Sequence, residues 1–185
     1  MSIEEGMQWK TRFTNVVYIG NKLWPNDVDV KLHFIPLSDN ADEQNLAFDK
    51  IKYCFHRIFQ NSVFIQNDQK VYDQLSKFSD QIIDFSDRPV DQITGVTMFS
   101  KLNMMIGNYL KVSLLEIESW QGENLRFLIN EDSPEWELIE HTEKTNWWFN
   151  ESPQFSNFDK KQLTWEEVGI KIKSSERFRV IKGGN

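Results

Sequence analysis

Hydrophobic and polar residues alternate strictly from Asp27 to Ile35, with Val28, Val30, Leu32 and Phe34 on one side of an extended chain and Asp27, Asp29, Lys31 and His33 on the other. A period of two marks a strand with one face on a core and one in water. Phe13 to Ile19 is rich in β-branched and aromatic residues, and the turn-rich stretch from Gly20 to Asn26 joins the two runs into a predicted strand pair that Pro36 closes.

After Pro36 the period changes to three and four. Ala47, Ile51, Cys54, Phe55, Ile58 and Phe59 fall on one face of a helix that Asn40 can cap, with Glu43 placed for a capping box. Short strands are predicted at Ser62 to Gln66 and Gln81 to Phe85, around a small helix marked by Val71, Leu75 and Phe78. Val96, Phe99, Leu102, Ile106 and Tyr109 favour a helix within Val90 to Leu110, although Thr94, Gly95, Thr97 and Gly107 weaken it. Lys111 to Trp120 and Leu125 to Asn130 then read as a hairpin. Ser133 and Pro134 start a short helix running to about Lys144, Thr164 and Glu167 make another possible capping box, and Arg177 to Lys182 forms a last strand. The expected fold is α+β: one domain over residues 1–185, loose at 1–10 and 183–185, with a mixed or antiparallel sheet, strand pairs near both ends and helices packed on it.

The composition is that of an ordinary globular domain, 39% hydrophobic and 26% charged over 185 residues. Its single cysteine, Cys54, rules out an internal disulfide. Together with Glu4 and Glu5, where a secretion signal needs positive charge, this predicts a reducing cytoplasm. The longest apolar run, Val16 to Ile19, is far too short to span a membrane. Ile, Lys, Asn and Phe are abundant while Ala and Arg are scarce, as an AT-rich genome would dictate.

The formal net charge of −7 is unevenly distributed. Ten acidic residues lie between Glu116 and Glu151, against only Arg126 and Lys144. In the tail, Lys171, Lys173, Arg177, Arg179 and Lys182 stand against Glu176. A net-negative body repels phosphate, which argues against nucleic acid as the partner, whereas the acidic segment suits a basic partner.

Two candidate sites follow. The first is Trp147, Trp148, Phe149 and Phe155, continuing to Phe158. Adjacent residues of an extended segment cannot both enter one core, so an exposed tryptophan beside the acidic segment would give a protein-binding hot spot. The alternative is that this segment folds as an aromatic lid.

The second site is Asp27 and Asp29, which share a strand face and could hold Mg²⁺ for phosphoryl or nucleotidyl transfer, with Asp84 or Glu116 as a third acid. With Gly20 and Asn21 before them, these acids resemble the DNA polymerase β-like nucleotidyltransferases. The sequence departs from that family in having a strand before Gly-Asn, a short gap and an intervening proline. His33, His56 and His141 lack metal-ligand spacing, and Cys54 and His56 point to different helix faces.

Phe99 to Asn103, Tyr109 to Val112 and Trp147-Trp148 also resemble conserved proteins of unassigned function from T4-like phages of marine bacteria. That resemblance implies an infected-cell cytoplasm and transfers no activity to any residue. The leading expectation is therefore a non-catalytic protein-binding module with no cofactor, and the alternative a Mg²⁺-dependent transferase.

Overall fold

The longest pairing in the molecule is the first hairpin, in which β1 (Met7–Ile19) and β2 (Lys22–Pro36) match residue for residue from Met7–Phe34 to Ile19–Lys22. The computed structural model describes residues 6–172. β1 begins inside the stretch expected to be a loose end, and the predicted strand at Arg177 to Lys182 lies outside the described residues. The turn is tighter than the sequence suggests. Only Gly20 and Asn21 are unpaired, both with φ near +60°, which is the two-residue turn that matches strand twist. The sequence hides this because Pro25 looks like a breaker. Val16 donates its N–H to Ser62 on the far side of β1, so its partner Pro25 directs its nitrogen away from β1, to a place where β5 has already ended and no donor is needed.

The sheet is mixed and six-stranded, in the order β4-β3-β1-β2-β5-β6, with β3 (Val63–Gln66), β4 (Ile82–Phe85), β5 (Leu110–Ser119) and β6 (Phe127–Ile129). β1, β3 and β4 are parallel neighbours, while β2, β5 and β6 pair antiparallel. The expected α+β class is therefore observed. Alternation places Phe13, Val17, Val28, Val30, Leu32 and Phe34 inward, each at most 2% exposed.

Two helices cover that face. The first, α1 (Ala41–Tyr53), is capped by Asn40 through the Asp42 N–H and runs into a π-helical turn, Cys54–Phe59. Glu43 bonds Ser38 instead of completing the predicted capping box. The second, α3 (Asp91–Ile106), is buried along nearly its whole length. Gly95, a liability for an isolated helix, allows a close approach here, since a Cβ would lie 3.0 Å from Ile117 and 3.1 Å from Ile129 and those side chains would have to give way. Between β3 and β4, α2 (Gln69–Leu75) buries none of its residues, so the predicted core stripe of Val71, Leu75 and Phe78 is not core, and Phe78 is 87% exposed. The helix predicted from Ser133 to about Lys144 is only a 3-10 turn over Pro134–Leu138. Thr164 and Glu167 do exchange their capping-box bonds, around a turn that continues into no helix.

The segment 147–159 closes the core, and two buried polar side chains hold it. Lys101 of α3 is fully buried, and its Nζ donates to the carbonyls of Trp147, Asn150 and Ser152 and to Asn150 Oδ1, at 2.7 to 3.0 Å. It also sits 4.9 Å from the centre of the Phe155 ring. Asp84 of β4, equally buried, accepts from Ser156 Oγ, the Asn157 N–H, Asn157 Nδ2 and Asn67 Nδ2. Chain pinned at both points must pass over the core between them.

Replacing Lys101 by Met should strand its oxygens without donors and cost about 3–5 kcal/mol in chemical denaturation. Burial pushes the Lys101 ammonium from 10.5 down to about 7. The unfolded chain then binds the proton that the folded chain releases, so stability should rise between pH 7 and 8.5 by up to about 1.4 kcal/mol per pH unit. Lys101→Met should remove that rise. A flat wild-type profile would mean that the four oxygens hold the proton.

Candidate functional site

The aromatic segment is not a binding loop. Trp147 and Trp148 are 0% and 1% exposed, Phe155 is 3% exposed, and Phe149 is half-buried against the same core. Both tryptophans fit because a 3-10 turn over Trp147–Phe149 replaces the extended chain assumed from sequence, swinging adjacent side chains onto one side. Trp147 Nε1 donates to the Asp84 carbonyl, and the two indoles meet edge to face at 5.6 Å. These four residues are the lid over the core, and the expectation that they present an exposed ring is corrected.

The four candidate carboxylates do not form one group. Asp84 lies three strands from β2, and at about 4.8 Å per strand it is roughly 14 Å from any side chain of β2. It also spends its oxygens on the lid. Asp29 is held in a two-point pair with Arg12 at 2.7 and 2.8 Å, which keeps its carboxyl below the usual range. Glu116 faces Lys31 at 2.9 Å and His33 Nε2 at 2.7 Å. Burial opposes its charge, but these two partners outweigh burial and hold its carboxyl below the usual range. Asp27 stands opposite Thr14 on the same face, its Oδ1 buried with no hydrogen-bond partner among the described residues. Among the described residues, no three His, Cys, Asp or Glu side chains gather as a metal site requires.

These charges occupy the uncovered face of β1, β2 and β5, where register aligns Arg12 with Asp29 and Glu118, and Lys10 with Lys31 and Glu116. Arg126 closes the ladder onto Glu118 at 3.0 Å. Most of these charges are paired with one another, and exposed pairs of this kind add little to stability. Cys54 is enclosed against Met105, and burial pushes its thiol up, away from nucleophilic chemistry. His56 packs beside Trp9, and His141 pairs with Glu140 at the surface.

The unsatisfied surface is at the β5–β6 end. Trp120 and Leu125 are each 62% exposed, and Leu128 is 55% exposed on the side of β6 facing away from the core. Glu123, in the same loop as Trp120 and Leu125, is exposed and forms no ion pair among the described residues. The loop that displays Trp120 is not relaxed, since consecutive Glu123 and Asn124 both take φ near +57°. Non-glycine residues in that region cost of order 1 kcal/mol each and persist where the surroundings impose them. Here Asn124 N–H is bonded to Ser119 O at 2.8 Å, and Asp91 of α3 sits under the loop, bonded to Ser119 Oγ at 2.7 Å. Asp91 Oδ2 lies 2.1 Å from where a Cβ on Gly122 would be, so a larger residue there must displace the Asp91 side chain. Sequence reasoning located the acids of this surface but passed over Trp120, which the alternation of the preceding strand runs into without interruption.

No protein-family model matches this chain, and no curated protein is similar to it.

Gly122→Ala should push Asp91 aside and destabilise the fold by about 1–3 kcal/mol, read as a lower denaturation midpoint with an unchanged slope. Asp84→Asn should cost about 2–4 kcal/mol by turning an amide N–H₂ toward the donors of Ser156 and Asn157, and should raise hydrogen exchange selectively across residues 150–159.

Proposed function

We propose that this chain is a non-catalytic protein-binding module whose partner docks on the acidic, apolar β5–β6 end. The observation that carries the reading is the exposure of Trp120, Leu125 and Leu128 at one end of the sheet, beside Glu123, which makes no ion pair among the described residues. Tryptophan is the residue most enriched at interface hot spots, since its large ring desolvates well at small entropic cost. Glu123 and the acidic character of the 116–151 segment favour a basic partner surface with an apolar recess for Trp120. The turn supports the same reading, because its bonded backbone holds the segment that carries Trp120 in one shape.

The test is calorimetric titration with lysine- and arginine-rich amphipathic peptides, against acidic peptides of the same length and apolar content. Wild type should bind the basic set, more weakly as salt rises, and Trp120→Ala should bind at least about tenfold more weakly at unchanged melting temperature. Equal binding of both peptide sets, or of wild type and variant, would sink the proposal.

A further inference from the structure

A second concave surface lies away from the β5–β6 end. Between the end of α1, the end of α3 and the chain beyond the lid lies a cleft of about 430 Å³, within the range of small-molecule sites. Its one basic side chain is Lys50, half-buried, which donates to the Met105 carbonyl at 3.0 Å and stands 5.1 Å from the centre of the Trp165 ring. Trp165 is fixed in turn, its Nε1 bonded to the Glu151 carbonyl at 2.7 Å and its face met edge-on by Tyr53. Met104 and Tyr109 supply the rest of an apolar wall.

Lys50 is under-compensated. An ammonium has three N–H groups, and among the described residues Lys50 makes one hydrogen bond and no ion pair, Glu151 attracting it only through space. Burial accordingly lowers its pKa, the response of a cation that lacks counter-charge.

We propose that this cleft binds a small monocarboxylate with a flat apolar body, its carboxylate on Lys50 and its body against Trp165, Tyr109 and Met104. Two free N–H groups on one cation match the two oxygens of a carboxylate. A phosphate dianion fits less well, because among the described residues no second basic side chain lines the cleft and Glu151 would repel it. The site is separate from the β5–β6 surface, and neither proposal depends on the other.

The test uses phenylacetate and indole-3-acetate as probes, with phenethylamine as the cationic control, followed by ligand-observed NMR and calorimetry on the full chain. Saturable binding of both acids in the millimolar range or tighter is expected, with no binding of the amine. Lys50→Met should weaken the acids at least tenfold, Trp165→Leu several-fold, and Glu151→Gln should strengthen them by removing the competing carboxylate. Lys50→Gln, which keeps a polar group at the cleft, stands in if the Met variant melts early. Absence of saturable binding, equal binding of the amine, or unchanged affinity in both Lys50 variants would overturn the proposal.

Discussion

A buried lysine with no carboxylate partner holds the top of this fold together. Lys101 projects from α3 into a cage of four oxygens supplied by residues 147–152, and it serves as a bound cation would, gathering carbonyls that otherwise face a hydrophobic interior. Desolvating an ammonium costs several kcal/mol, and each oxygen turned toward it offsets part of that cost. The arrangement is therefore nearly all-or-none: without the cation the carbonyls lose their donor, and without the lid the cation loses its cage. Asp84 does the same from β4 with the opposite sign, gathering N–H and O–H donors from residues 156 and 157.

These two clamps also determine where function can and cannot be. They commit Asp84 to structure and bury both lid tryptophans, which removes the aromatic segment from the list of docking surfaces. They route the chain beyond the lid back toward α1, where Trp165 meets Lys50 and forms a wall of the cleft. Both helices that carry the core lie on one side of the sheet, so the other side of β1, β2 and β5 is left to water. Ion pairs of Arg12 with Asp29, Lys31 with Glu116 and Arg126 with Glu118 run across it. Exposed apolar side chains gather instead at the β5–β6 end, where the loop turns sharply over Asp91.

Local pattern was a good guide where one physical effect dominated. The alternation in β2 placed every inward residue correctly, because a period of two with one wet face admits a single register. α3 was legible for the same reason, although Gly95 counted against it until the close approach of Ile117 and Ile129 supplied its purpose. The failures share a cause. α2 has a helical apolar stripe but no surface to bury it on, the 133–144 segment has a helix start but makes only one 3-10 turn, and Thr164 and Glu167 make a capping box that caps nothing longer. Each signal reports a local preference, and whether a helix grows from it depends on an apolar face finding a partner across the chain.

By itself, then, the sequence determined the α+β class, the inward set of β2, the existence of α1 and α3 and the acidic character of the 116–151 segment, all of which follow from spacing and composition within a few turns or strands. Tertiary structure alone decided that Lys101 is buried, that Asp84 is far from Asp27 and Asp29, that Trp147 and Trp148 share one interior, and that Trp120 does not. Those outcomes depend on pairings between residues tens of positions apart, and the energy of a buried charge or an exposed indole is set by neighbours that no local window contains.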